Sequence, residues 1–256
     1  MLRPRIIPIL LLDGRALVKT RKFKKWKYIG DAINAVKIFN DKCADELILL
    51  DIYATKEKRS PNYSLIEEII SEAFMPVCYG GGISSFKSAE NLFNLGIEKI
   101  SIRTQIFENE HFIKELASHF GSSSIVASVD IQRSLFGFNL HISEKKIFFK
   151  NLNKIKDKLK KLQDLGSGEL LVQVINRDGM QTGLDIILGQ EIAKDLTIPV
   201  VLSGGTDSLD NISIALSSGI SAIGVGAKFV LHGPHNAVLV SYPSETEFER
   251  LQKSII

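Results

Sequence analysis

Apolar residues in this chain come in short runs, each followed by a turn and a longer amphipathic stretch. Residues 199–202 form one such run and lead into Gly204-Gly205. Ser208 is placed to cap a helix ending near Gly219, and the next apolar run is 222–225. This pattern predicts a buried parallel strand, a glycine turn, a helix and another strand. It occurs earlier too. Residues 76–79 run into Gly80-Gly81-Gly82, a helix follows Ser85 to about Gly96, and 99–102 is the next strand. Gly81, Gly82, Gly96, Ile97 and Ile100 map onto Gly204, Gly205, Gly219, Ile220 and Ile223, each 123 positions on. Glu46-Leu47 maps onto Glu169-Leu170 at the same offset. So long a period predicts two half-barrels, roughly 1–122 and 123–256, rather than a solenoid.

The remaining chain fills in the pattern. Strands are expected at 5–11, 46–51, 124–129 (ending at Asp130) and 169–174. Helices are expected at 31–42 behind Asp31, from Ser64, at 152–165, from about 185 and from Ser244. Residues 12–30 read as a loop. Residues 131–150 alternate polar and apolar, which predicts an inserted β-hairpin. Eight strands alternating with helical patterns predict an α/β fold, a single closed (β/α)8 TIM barrel. The length of 256 residues and 45% hydrophobic content suit that fold, which takes about 250 residues. No linker divides the chain.

Composition narrows the function classes. A net charge of +3 argues against a dedicated nucleic-acid binder. Cys43 and Cys78, one expected on a helix and one on a strand, make no metal or redox spacing. A reducing cytoplasm is the expectation. No run reaches membrane-spanning length, and no signal-peptide core stands at the start. No His/Cys/carboxylate spacing suggests zinc, and no cofactor is implied. His232 and His235 read as C-terminal packing or interface residues, and the lysine-rich helix 152–165 as a solvated face. The loop over 15–28 interleaves seven cations with Phe23, Trp26 and Tyr28. It is either a simple solvated loop or a lid for an anionic partner such as a nucleotide sugar.

Active sites of such barrels lie at the C-terminal strand ends. Gly81-Gly82 and Gly204-Gly205 both fall there, before helix starts, where bare N–H groups suit phosphate. Two such loops would hold a ligand with phosphate at both ends. The other reading is tight turns needed only for strand–helix packing. At the opposite rim, Arg5, Glu46, Lys99 and Glu169 begin the first, second, fourth and sixth strands. They form either a satisfied salt-bridge plug or a gate. Asp130, a strand-end carboxylate, is either an acid/base candidate or a structural acceptor on the rim.

These residues resemble the HisF family, the cyclase subunit of imidazole glycerol phosphate synthase, over essentially the whole chain. The marks are Arg-Ile-Ile-Pro at 5–8, Asp-Glu-Leu at 45–47, Leu-Asp-Ile at 50–52 and Gly-Gly-Gly-Ile at 80–83. Asp130, Asn176-Arg177-Asp178-Gly179 and Ser203-Gly204-Gly205 complete them. The resemblance implies a HisH-like glutaminase docked on the barrel bottom, releasing ammonia past a gate of Arg5, Glu46, Lys99 and Glu169. It implies phosphate contacts at Gly81, Gly82, Thr104, Gly204, Gly205 and Gly226, and substrate contacts at Lys19, Asp51, Asn176 and Asp178. The family works with two aspartates. Asp130 fills one position, but the other is Leu11, with Asp13 nearby in a turn the family also carries. Arg103 and Lys228 stand near the phosphate loops where the family has asparagine and serine, and join the phosphate-binding candidates; as added cations they either grip a different anion or fill the site.

Further stretches resemble HisF paralogues that accompany acetamidino modification of surface-polysaccharide sugars. These are Leu17-Val18-Lys19-Thr20, Phe23-Lys24, Lys27-Tyr28, Ile33-Asn34-Ala35-Val36, Met75-Pro76-Val77-Cys78-Tyr79 and His232-Gly233-Pro234-His235. That branch implies ammonia delivery to a separate sugar amidotransferase and a phosphorylated or nucleotide-sugar ligand. The alternative is cyclisation in histidine biosynthesis.

Overall fold

The structure, a computed structural model, describes residues 4–142 and 145–255. Eight parallel strands close on themselves. They are Arg5–Asp13, Leu47–Asp51, Val77–Gly80, Lys99–Ile102, Ile125–Ser134, Glu169–Val174, Val200–Ser203 and Ala222–Val225. Closure runs through Arg5↔Ala222, while Asp130↔Gln173 joins the fifth strand to the sixth. The helices cover the outside, so the expected (β/α)8 barrel is the fold.

Side chains alternate between two apolar layers, as a period of two requires. Ile7, Ile48, Val126, Leu171 and Val201 fill the barrel interior. Ile6, Leu10, Leu47 and Leu49 face outward onto helix residues such as Val36, Phe39 and Ile66. Each such side chain, fully buried, contributes roughly 1.5–3 kcal/mol.

The helix starts are chemically defined. Asp31, Ser85, Asp185, Ser208 and Ser244 cap their helices with side-chain oxygens, each accepting an N3 backbone N–H. The second helix, Tyr63–Glu72, starts one residue before Ser64, where the Asn62 side chain caps it by accepting from Leu65 N. Cys43 lies just past the first helix in a left-handed turn, not on it.

The expected loop over 12–30 is instead a β-hairpin, Ala16–Thr20 with Trp26–Asp31. It extends the first strand through Leu11↔Val18 and Asp13↔Ala16. Burial of Leu17, Val18 and Ile29 drives it. The second hairpin, expected within 131–150, forms as Gly137–Ile142 and Lys145–Phe149 against an elongated fifth strand. His232, on a short strand paired with Ala237, and His235, in the turn that follows, are both exposed, so neither is a packing residue.

Candidate functional site

Both barrel mouths are chemically distinctive. At the N-terminal mouth, Arg5 Nε donates to Glu46 Oε1 at 2.6 Å and Arg5 Nη1 to Glu169 Oε1 at 2.7 Å. Lys99 Nζ donates to Glu169 Oε2 at 2.9 Å and lies 3.8 Å from Glu46 Oε2. These bonds join the first strand to the sixth and the fourth to the sixth. Strands so far apart meet only across the mouth, so the four side chains converge over the axis. Burial pushes the Glu169 carboxyl up, but Arg5 and Lys99 outweigh it and hold the group below its ordinary value. Beside the ring, a cavity of about 20 Å³ is bounded by Glu46, Lys99 and Glu169 themselves, by Ile7, Ile48, Cys78 and Val126, and by the rim residues Pro76 and Glu98.

At the C-terminal mouth, Asp130 is fully buried. Arg103 Nη1 donates to its Oδ2 at 2.7 Å and Gln173 Nε2 to its Oδ1 at 3.2 Å. Burial raises the carboxyl pKa, and the Arg103 and Gln173 contacts offset this only in part. Asp130 therefore meets the open space above only through Arg103 and Gln173. Leu11 is buried and apolar, and Asp13 lines neither of the two upper cavities.

The open space is a cavity of about 730 Å³ over the first half of the barrel. Gly81, Gly82, Arg103, Thr104 and Asp51 line it. The Thr104 hydroxyl is buried and has no hydrogen-bond partner among the described residues. Asp51 is occupied: its Oδ1 accepts from Tyr53 N and Ala54 N at 3.1 and 2.9 Å, and Arg59 lies alongside at 3.4 Å.

The second half differs. Gly204, Gly205, Gly226, Lys228, Lys19 and Asp178 surround only about 30 Å³. The hairpin is strapped down there. Asp178 Oδ1 accepts from Lys19 Nζ at 2.5 Å, and Oδ2 from Thr20 Oγ1 at 2.7 Å and Phe23 N at 3.2 Å. Lys22 N adds a bond to Asp178 O at 2.9 Å. Asn176 is turned to other work, pairing with both backbone groups of Arg133 at 2.7 and 3.1 Å. The structure thus places the two glycine pairs on separate cavities rather than one.

Local packing alone accounts for the glycines. A Cβ at Gly205 would lie 2.2 Å from Gly183 O, and one at Gly82 would lie 2.5 Å from Arg59 O, both at positive φ. Of the basic hairpin, Arg15 pairs with exposed Glu68, and Lys27 reaches Asn236 O at 2.6 Å. Sequence reasoning missed Arg59 and Gln173. Gln173 carried one signal, an inward parity on the sixth strand; Arg59 carried none.

These features define a class before any comparison is made: a closed α/β barrel with an ionic lower mouth and an anion-suited upper one. A profile of the histidine biosynthesis protein family matches residues 5–234, and the chain belongs to that family. Within it the chain is HisF-like. It is 44% identical over 250 residues to a Pseudomonas aeruginosa protein provisionally named imidazole glycerol phosphate synthase subunit hisF2, covering 97% of this chain and 99% of that one. It is 40% identical to the Vibrio vulnificus protein provisionally named hisF3, covering 96% and 95%. It is 35% identical over 213 residues to the imidazole glycerol phosphate synthase subunit HisF of Bacillus cereus, covering 83% and 84%. Among the described residues, no helix is long and apolar enough to cross a membrane.

Proposed function

We propose that this barrel is the ammonia-receiving subunit of a glutamine amidotransferase complex. A HisH-like glutaminase docks at the lower mouth, and ammonia travels along the axis for amidination of an N-acetylated sugar in surface-polysaccharide synthesis. The observation that carries this reading is the contrast between the mouths. The lower ring is complete, its four side chains joined across the mouth beside a cavity of about 20 Å³ that Glu46, Lys99 and Glu169 help to line. That is room for one water-sized molecule. Of the two equivalent strand positions at the upper mouth, one carries a carboxylate, Asp130, already bonded to Arg103, and the other carries Leu11. On this reading ammonia passes between the apolar interior side chains Ile7, Val126 and Leu171, which keep it unprotonated and nucleophilic until it leaves. Arg5, Glu46, Lys99 and Glu169 act as the gate, and Asp130 is the remaining acid/base.

The numbered names hisF2 and hisF3 of two relatives accord with a paralogue. The match to the Bacillus cereus subunit supports the second reading, a cyclase of histidine biosynthesis. The two separate in one assay. The purified barrel, given the bis-phosphate ribulosyl intermediate and ammonium salts at high pH, is expected to show no turnover; robust turnover establishes the cyclase. In parallel, the barrel is expected to raise the glutaminase activity of its HisH-like partner. No stimulation would remove the ammonia reading.

A further inference from the structure

We propose that this barrel holds its ligand by a single anionic end, a phosphate monoester, and has no seat for a second phosphate. This goes beyond ammonia delivery and stands whether or not ammonia passes along the axis.

The cavity over the first half has the size and chemistry for such a ligand. Its volume, about 730 Å³, lies within the usual range for metabolite pockets. Arg59, Arg103, Lys24, Lys56 and Lys58 line it, against Asp51 and Glu108. Asp51 is already satisfied by Tyr53 N, Ala54 N and Arg59. Arg103 spends Nη1 on Asp130, yet its side chain is 38% exposed toward the opening. The Thr104 hydroxyl is buried with no acceptor or donor among the described residues. Such an orphan is costly, and an anion oxygen in the cavity satisfies it. Leu50, Ile52 and Ile83 supply an apolar wall for the body of the ligand.

The mirror site cannot take the second phosphate. Thr206 Oγ1 also lacks a partner among the described residues, but it borders only about 30 Å³. That holds about one or two waters. Lys19 fills the rest: its Cε would stand 3.2 Å from a Cβ built on Gly226. Admitting a phosphate there means lifting the hairpin and breaking the bonds of Lys19, Thr20, Lys22 and Phe23 to Asp178. It would also unpair a buried cation and carboxylate, which is strongly unfavourable. Leu11, Phe23 and Gln173 line both spaces and so stand as the partition between them.

Calorimetric titration of the full chain with inorganic phosphate, ribose phosphate and ribulose bis-phosphate tests this. Ribose phosphate is expected to bind one equivalent, and the bis-phosphate to bind within about three-fold of it. Thr104→Val is expected to weaken ribose phosphate about ten-fold. Thr104→Ser, which keeps the hydroxyl, and Lys228→Ala should bind like the parent. Bis-phosphate binding about a hundred-fold tighter than monoester shows both ends held and overturns the proposal. Absence of saturable monoester or phosphate binding overturns it too, as does equal weakening by Lys228→Ala. The bis-phosphate ratio and Lys228→Ala decide the matter even if Thr104→Val does not fold. Glutaminase stimulation is read separately, so failure here leaves ammonia delivery standing and the reverse.

Discussion

Leu11 and Asp130 occupy equivalent places in the barrel. Leu11 pairs with Leu50 and Asp130 with Gln173, and Leu50 and Gln173 are themselves 123 positions apart. The neighbouring ladders repeat likewise, Leu47↔Val77 echoing Leu170↔Val200. At this level of its first strand one repeat therefore carries a carboxylate and the other an apolar side chain packed with Ile9 and Val18. Leu11→Asp places an unpaired carboxyl in that cluster. It is expected to cost about 2–5 kcal/mol, read by urea denaturation. It should not confer turnover of a bis-phosphate, because the second anion pocket stays filled by Lys19. Turnover in this variant would show that the missing carboxylate alone had silenced the site.

Asp130 gives a pH prediction of definite sign. Burial holds its proton in the native state above the unfolded value, with Arg103 only partly offsetting. The unfolded carboxyl ionises first, at about pH 3.9, so the native state loses relative stability as pH rises from there through the native pKa. Asp130→Asn removes that titration and keeps a partner for Gln173. Its stability is expected to vary less over this window, and to lie within about 1 kcal/mol of the parent near neutrality. A parallel pair of stability–pH curves would refute the raised pKa.

Glu169 has the opposite sign. Arg5 and Lys99 hold its native pKa below the unfolded one despite burial. Its contribution is present above the unfolded pKa of about 4.3 and is lost as pH falls through the native value. Glu169→Gln is expected to cost about 1–3 kcal/mol near neutrality, discounted because Arg5 and Lys99 are partly exposed. The difference from the parent should shrink in acid. Urea midpoints across the pH range measure it.

The barrel was legible because its strands are short apolar runs and its helices start at Ser, Asp or Asn. The repeat spacing then aligned the strand ends. The hairpin at 16–31 was not legible. Leu17 and Val18 are adjacent and both buried, since a register shift between them breaks the strand alternation. Lys19 and Thr20, polar in type, are buried as well, because Asp178 reaches them from across the barrel. The same holds at the upper mouth. Asp130 stood out as a strand end, but its bond to Arg103 and the asymmetry of the two cavities depend on contacts between strands, which local spacing does not encode. The lower ring is the contrary case: its four members begin strands, with side chains of inward parity, so their convergence follows from barrel closure.

The strap on Asp178 makes the hairpin's order depend on one carboxylate. Lys19 and Asp178 are both buried, and four bonds from residues 19–23 converge on Asp178. The turn beyond carries Lys22 and Phe23 at φ 52° and 56°, a left-handed conformation that non-glycine residues hold only when surroundings enforce it. Asp178→Ala removes the acceptors and strands a buried cation, so the cost is expected at about 3–5 kcal/mol if the hairpin stays down. Lifting the hairpin relieves that cost by hydrating Lys19, and the relaxed state should predominate. Trypsin, which cuts after Arg21, Lys22, Lys24 and Lys25, is then expected to nick the turn at least about ten-fold faster while the barrel remains intact. Amide exchange at Phe23, whose N–H is bonded to Asp178 in the parent, should lose protection in parallel. Unchanged cleavage and exchange would mean that the ladder to the first strand, not the carboxylate, holds the hairpin in place.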